Sequence, residues 1–182
     1  WVRTRRKAIA SIRETWFKTS RLLYQVGVVD SPLATVTGHG YHVYDSLVRV
    51  PLVIAGGATP RGRKISEQVR QVDIMPTILE LAGLRDAIPD PIDGQSLVPA
   101  MQGEPLSEQP AFIETCQNTR EPSSFYGVRA GGYKYAYDAS QPKVPEELYR
   151  LADDPEETHN LAQTMPQQTA ELRHMIERHV EG

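Results

Sequence analysis

The chain has 182 residues, of which 40% are hydrophobic and 24% are charged, and its formal net charge is −3 at pH 7. This composition is typical of globular protein and excludes a disordered chain. The charge gives no electrostatic reason to expect a nucleic-acid partner, and no apolar run approaches the roughly 18 residues of a membrane span. The single cysteine, Cys116, excludes an internal disulfide. The chain begins with Trp1, which suggests a fragment and leaves the location of the parent protein open.

The first predicted segment, residues 1–37, is basic at its start and hard to interpret. Ile9, Ile12 and Trp16 are spaced as one face of a loose amphipathic helix. Basic amphipathic helices can bind membranes or nucleic acid, but a solvated or poorly ordered end is the favoured interpretation here.

Polar residues then stand directly in front of an apolar run. His39, His42 and Asp45 precede residues 50–54 (VPLVI), which glycines follow. A short, continuous run of β-branched and aliphatic residues predicts a strand buried on both faces. Because α/β enzymes place their sites at the ends of such strands, this stretch is the first candidate for chemistry.

A helix with clear end signals follows this predicted strand. Asp73 is its predicted N-cap, Pro76 lies in the first turn, and Gly83 marks its C-terminal end. The predicted buried face consists of Ile78, Leu79, Leu81 and Ala82. Prolines and an Asp-Gly pair predict a loop over residues 87–103.

The hydrophobic period then changes to two, which predicts antiparallel strands. Strands are expected at residues 111–115, 126–129, 133–137 and 147–151, with a hairpin turn at 130–132. A final helix is predicted from Pro166 to Val180, with Leu172, Met175, Ile176 and Val180 on its inner face. Strands covered by one helix indicate an α+β subdomain.

Several blocks of the sequence, in order, resemble the C-terminal portion of a sulfatase, within the alkaline-phosphatase-like superfamily. They are Gly38–Asp45 (GHGYHVYD), Arg49–Leu52 (RVPL), Val72–Gly83 (VDIMPTILELAG), Asp93–Leu97 (DGQSL), Tyr133–Tyr135 (YKY), Glu147–Tyr149 (ELY), Asp153–Thr158 (DDPEET) and Asn160–Ala162 (NLA). Each block alone is weak, but together they cover about two thirds of the chain. The resemblance implies the edge of a mixed α/β core over residues 38–105 and a C-terminal α+β subdomain over residues 106–182.

The resemblance also implies a mechanism for the parent protein. A formylglycine would attack the sulfur of a small-molecule or carbohydrate sulfate ester, and Ca²⁺ would polarise the sulfate oxygens. His39 and His42 lie where the family places a sulfate-binding or leaving-group residue. His39 is preferred because the glycines on either side allow close approach, and His42 is the alternate. Arg49 is predicted to pair with an acid such as Asp45 rather than to contact substrate.

Other family features are missing from this sequence. The expected nucleophile motif is absent, and Cys116 mimics only its spacing, because Asn118 stands where the family has proline. Asp30 is the only carboxylate in residues 29–37, where a metal motif should precede Gly38, and one carboxylate cannot build a calcium site. We therefore expect a fragment that is inactive alone, from a truncated or frame-disturbed gene.

Two further interpretations remain open from sequence. Phosphonate and phosphate ester hydrolases share the scaffold, and the choice between sulfur and phosphorus needs the absent nucleophile pocket. A non-catalytic scaffold or binding module fits the missing metal ligands. Tyrosines 126, 133, 135 and 137 could stack on a sugar, although alternating tyrosines more often pack within a sheet.

Overall fold

The computed structural model describes residues 42–57, 59–115 and 125–181. The strands are β1 (Ala111–Thr115), β2 (Phe125–Ala130), β3 (Tyr133–Asp138) and β4 (Glu147–Arg150), and the α-helices are α1 (Asp45–Val48), α2 (Ile74–Leu81), α3 (Val98–Gln102) and α4 (Pro166–Glu181). The predicted α/β fold class is confirmed. Of the sequence predictions, the basic segment, His39 and Cys116 lie outside the described residues.

The sheet confirms the four predicted strands and follows the chain order β1-β2-β3-β4. β2 and β3 are antiparallel and pair from Phe125 with Asp138 to Ala130 with Tyr133. Gly131 and Gly132 form the turn with φ of 58° and 76°, a left-handed conformation that glycine adopts without strain. β4 pairs antiparallel with β3 and completes the sheet.

Helix α4 and the sheet enclose the larger apolar core. Its buried members are Val128, Ala130, Tyr135, Leu148, Leu172 and Ile176. Leu172 and Ile176 were predicted on the inner face of the helix, and both are buried there. Val180 is half exposed instead, in the last turn of α4. In the parts of the chain that the structure describes, no helix is long and apolar enough to cross a membrane.

The chain divides into two compact units. The sheet unit contains residues 42–49 together with 112–115 and 125–181, and the α2 unit contains the described residues from Val50 to Ala111. The histidine-bearing segment, which the sequence groups with the preceding α/β core, therefore belongs to the same unit as the antiparallel sheet.

A polar network organises the α2 unit. The buried carboxylate of Asp73 accepts hydrogen bonds from the backbone N–H and guanidinium of Arg70, both at 2.8 Å, and from Gln95 N–H at 2.9 Å. The Thr77 hydroxyl donates to Asp73 C=O at 2.5 Å and accepts from Leu97 N–H at 2.9 Å. Asp73 precedes α2 as predicted, but its side chain makes no capping bond to that helix.

The predicted buried face of α2 is wrong. Pro76 and Thr77 are the buried residues of the helix, whereas Ile78 and Leu81 are exposed. Hydrogen bonds explain the inversion, because Thr77 must face inward to reach Leu97 N–H. The predicted end at Gly83 is correct: its φ is 75°, and the helix closes through Gly83 N–H to Glu80 C=O.

Two other predictions fail in the α2 unit. Residues 50–54 form no strand, and Val53 is 84% exposed. The described strands pair only with one another, so the segment lacks the neighbouring strands that a buried strand requires. Part of the predicted loop at 87–103 is helix α3. Two residues favour this helix: Pro99 lies near its start, and Gly103 follows its end with a φ of 105°.

Candidate active-site segment and its charge cluster

The segment that carries His42 is packed against the sheet. Val43 joins Phe125 and Ala136 in a second apolar cluster. A β-carbon at position 127 would lie 3.0 Å from the Val43 side chain, so Gly127 allows this close approach. His42 is 4% exposed, and its ring meets the ring of Tyr44 edge-on at 4.4 Å between centroids.

Four charged side chains beside this segment form the charge cluster: Asp45, Arg129, Lys134 and Glu157. Asp45, the first residue of α1, accepts from Lys134 Nζ at 2.8 Å and from Arg129 at 2.9 Å. Lys134 Nζ also lies 2.9 Å from Glu157. Glu157 Oε2 in turn accepts a 2.6 Å bond from the backbone N–H of Asp45. The cluster therefore connects α1 to β2, to β3 and to the loop that contains Glu157.

The register of the sheet explains why a carboxylate is needed at position 45. Arg129 and Lys134 are directly paired across β2 and β3. Like charges opposite one another destabilise a sheet. The two oxygens of Asp45 accept one bond from each cation, and Asp45 and Glu157 together balance the charge of the pair. Lys134 is only 1% exposed, and such a charge is tolerated in a protein interior only when it is paired.

The backbone conformation of Glu157 and the burial of its carboxyl are both unusual for a glutamate. Its φ of 56° is left-handed, which is uncommon for a residue with a side chain. Burial raises the pKa of the Glu157 carboxyl above its ordinary value, although Lys134 and the N–H of Asp45 act in the opposite direction. The carboxyl is thus largely desolvated in the fold, and its contacts hold a strained loop against α1.

The outcomes of the sequence predictions for this segment differ. His42 lies in the packed segment, whereas His39 lies outside the described residues. The predicted Asp45–Arg49 pair is wrong, because Asp45 pairs with Arg129 and Lys134 and the Arg49 side chain is exposed. The physical reason is the pairing of β2 with β3, which brings both cations within hydrogen-bond distance of Asp45.

Sequence reasoning missed the charge cluster. Lys134 lies 89 residues from Asp45, so no local spacing could join them. Lys134 and Glu157 do stand in sequence blocks that carry the family resemblance, but those blocks assign them no partner. One signal was available. The predicted hairpin places Arg129 and Lys134 opposite one another, and two facing cations require a nearby acid because like charges repel.

The described residues do not fit a calcium site. Within residues 42–57, 59–115 and 125–181, no group of three or more His, Cys, Asp or Glu side chains could hold a metal ion. The carboxylates of Asp45 and Glu157 already face Lys134. A hard cation needs several free oxygen ligands at one point, and this cluster does not supply them.

The tyrosines of the hairpin contact other side chains of the sheet unit. Tyr126 stacks on Tyr137 at 5.5 Å between centroids, and Tyr135 is fully buried. Burial also raises the pKa of the Tyr135 hydroxyl above its ordinary value. Arg150 lies 5.5 Å over the ring of Tyr133. These contacts favour sheet packing over sugar binding for the tyrosines.

Comparisons with known proteins extend the resemblance over most of the chain. The sequence model of the family described as "N-sulphoglucosamine sulphohydrolase, C-terminal" matches residues 39–181. Mouse arylsulfatase K is 30% identical over 137 residues, which are 71% of this chain and 24% of that protein. Choline-sulfatase from Rhizobium meliloti (strain 1021) is 33% identical over 121 residues, which are 66% of this chain and 22% of that protein.

A solved structure agrees with these sequence matches. A putative sulfatase from Bacteroides thetaiotaomicron VPI-5482 superposes with a TM-score of 0.67 and 27% identity, and the match covers 83% of this chain and 34% of that chain. The chain spans about a quarter of the length of the curated relatives it matches. The order of the sequence blocks, the fold and the extent of the family match lead to one conclusion: this chain belongs to the sulfatase family, as a C-terminal portion matching the N-sulphoglucosamine sulphohydrolase C-terminal family.

Proposed function

We propose that residues 39–48 form one wall of the active site of a sulfatase that hydrolyses a small-molecule or carbohydrate sulfate ester. The observation that carries the proposal is the family match over residues 39–181, which begins at the preferred histidine. The packing of residues 42–45 against the sheet supports it, because a rigid support is what a catalytic side chain requires.

His39 is the proposed catalytic residue on this wall. When the bond between sulfur and the ester oxygen breaks, its electron pair goes to that oxygen, and an imidazolium N–H can donate the proton that the leaving alcohol needs. An ordinary histidine pKa of about 6.5 suits this transfer near neutral pH. Sulfur gains the oxygen of water in the overall hydrolysis. His42 is the alternate, but its burial against Tyr44 favours a packing role.

The finer chemistry of the parent is also part of this proposal. The family resemblance implies a formylglycine nucleophile, which would be a modified residue outside the described ones, and Ca²⁺, which residues other than those described would hold. Among the described residues no group of acidic, histidine or cysteine side chains fits the metal ion. The charge cluster would act as positioning machinery for the wall rather than contact the substrate.

A chimera tests this function directly. Residues 39–181 replace the matching C-terminal region of the Rhizobium meliloti choline-sulfatase, and turnover of choline sulfate and p-nitrophenyl sulfate is measured. Loss of a general acid costs on the order of 10²–10⁴-fold in kcat, so His39→Ala should fall in that range. The matched control is His174→Ala, an exposed histidine of α4. Equal kcat values for the two variants would exclude a catalytic role for His39.

The same preparations separate the other two interpretations. Preferential turnover of an aryl phosphate diester by the chimera would favour a phosphate or phosphonate ester hydrolase. For the isolated chain, calcium titration and an aryl sulfate assay address the scaffold interpretation. Tight Ca²⁺ binding together with ester turnover by the isolated chain would refute a purely non-catalytic role.

A further inference from the structure

Glu157 contacts the candidate site from a loop that lies 112 residues beyond it along the chain. Its Oε2 atom accepts from the backbone N–H of Asp45 at 2.6 Å, and its Oε1 atom lies 2.9 Å from Lys134 Nζ. The N–H at the start of a helix has no partner within that helix, so the N–H of Asp45 needs an acceptor from outside α1. Glu157 is therefore the group that fixes the backbone where residues 42–44 lead into α1.

The two contacts explain why a glutamate stands at position 157. A carboxylate presents two acceptor oxygens, and here each oxygen faces a different donor. The amide of a glutamine has a single oxygen and can accept from only one of the two donors. An aspartate would move both oxygens back by one methylene group. Both the charge and the length of the glutamate side chain therefore match the two donors.

The backbone of Glu157 is strained, and the loop around it is fixed on both sides. Among the residues that the structure describes, Glu157 is the only non-glycine with a positive φ, of 56°. Before it, the carboxylate of Asp154 accepts from Thr158 N–H at 3.0 Å, and after it, the side chain of Asn160 accepts from Leu148 N–H at 3.0 Å. Such strain persists only where the surrounding structure imposes it, and it concentrates at functional sites.

We propose that Glu157 is a positioning residue for sulfate-ester hydrolysis, a role that rests on the proposed function of residues 39–48. It acts through the backbone of Asp45 and does not touch the substrate. By holding this N–H, Glu157 fixes where the preceding residues of the wall lie relative to the ester. A misplacement of about 1 Å that begins far from the reacting atoms can lower a rate about 10²-fold.

The first measurement is amide hydrogen exchange of the whole chain, resolved by residue with NMR, and it needs no turnover. The N–H of Leu161, which donates to Leu148 C=O at 2.7 Å in the same unit, reports any general loss of stability. In Glu157→Ala, we expect the ratio of the Asp45 rate to the Leu161 rate to rise by roughly 10–100-fold, because only Asp45 N–H loses its acceptor. Glu156→Ala, at the neighbouring exposed glutamate, is the matched control and should leave the ratio unchanged.

The second measurement is turnover of choline sulfate by the chimera with choline-sulfatase. We expect Glu157→Ala to lower kcat by roughly 10–100-fold and to leave KM nearly unchanged, because the wall acts on the leaving group in the transition state. Glu157→Gln keeps one acceptor oxygen and should give an intermediate kcat. A purely structural role would lower the midpoint of thermal unfolding but leave kcat per folded molecule equal to that of Glu156→Ala.

Three results would overturn the positioning role of Glu157. The first is an Asp45 exchange rate that Glu157→Ala does not change. The second is an equal rise of the Asp45 and Leu161 rates, which would mean a general loss of stability only. The third is an active chimera in which Glu157→Ala and Glu156→Ala have equal kcat values.

Failure of the proposed function is a different result. A folded chimera of unaltered sequence that hydrolyses no sulfate ester would remove the reaction that Glu157 is proposed to serve. The exchange rates would still decide whether Glu157 holds Asp45, because they do not depend on turnover.

Discussion

The two units of the chain both bury charged side chains but differ in the burial of their large apolar side chains. The sheet unit buries Lys134 and Glu157 beside an apolar core that α4 covers. The α2 unit buries Asp73 and Thr77 and leaves Ile78 exposed. Burial of apolar area contributes to the stability of the first unit, whereas a polar network orients α2 in the second and leaves its large apolar side chains exposed.

The largest expected effect lies in the charge cluster. Lys134→Met removes the cation that faces two carboxylates, and it leaves Glu157 buried without its main counter-charge. Breaking a buried pair on one side costs roughly 3–5 kcal/mol. Urea unfolding of the isolated chain, followed by circular dichroism, measures this loss. Lys143→Met, at an exposed lysine, is the control and should unfold at the wild-type urea concentration.

A matched pair of isoleucines tests the contrast in apolar burial. Ile176, in α4, is 2% exposed, and Ile78, in α2, is 57% exposed. Truncation of a buried isoleucine costs about 2–5 kcal/mol, so Ile176→Ala should lower the free energy of unfolding by that amount. Ile78→Ala should stay within about 0.5 kcal/mol of wild type. Equal losses for the two variants would contradict the assigned exposures.

A smaller effect is expected in the polar network of the α2 unit. Thr77→Val keeps the shape of the side chain but removes the hydroxyl that accepts from Leu97 N–H. An unsatisfied buried donor costs about 1–3 kcal/mol. Thr59→Val removes an exposed, local hydroxyl bond in the same unit and serves as control. If both substitutions cost the same in urea unfolding, the network does not fix the helix.

The sequence predicts the sheet unit well because its signals are local. Alternating side chains, the Gly131-Gly132 turn and the period of α4 each lie within a few residues, and all are confirmed. The buried face of α2 is predicted wrongly because the hydrophobic pattern is that of a buried helix. This pattern predicts burial of Ile78 and Leu81, and both are exposed in the structure.

The candidate site is predictable only in part, for a related reason. The sequence singles out residues 38–45 because histidines and an acid stand together there. It assigns Asp45 to Arg49, the near cation, because distance along the chain was the only guide. The actual partners, Arg129 and Lys134, are brought to Asp45 by the pairing of β2 with β3. The pairing of distant strands determines which charged side chains come together. The spacing of residues along the sequence does not predict that pairing.

The smallest predicted effects concern two acids three residues apart, whose surroundings give opposite pH dependences. Burial raises the pKa of Asp154, but hydrogen bonds from Thr158 and His159 outweigh it and hold the pKa below its ordinary value. A lowered pKa contributes stability above the unfolded value, near pH 4, that is lost as the pH falls through the folded value. The raised pKa of Glu157 contributes stability below its unfolded value that is lost as the pH rises.

Urea unfolding at pH 3, 5 and 7 checks both signs against the wild type. The stability advantage of wild type over Asp154→Asn should be largest at pH 7 and shrink at pH 3. The advantage of wild type over Glu157→Gln should change in the opposite direction and decrease as the pH rises. Parallel pH trends for the two variants would mean that Glu157 is solvated like Asp154. The contrast between a buried charge cluster and a hydrogen-bonded surface acid would then fail.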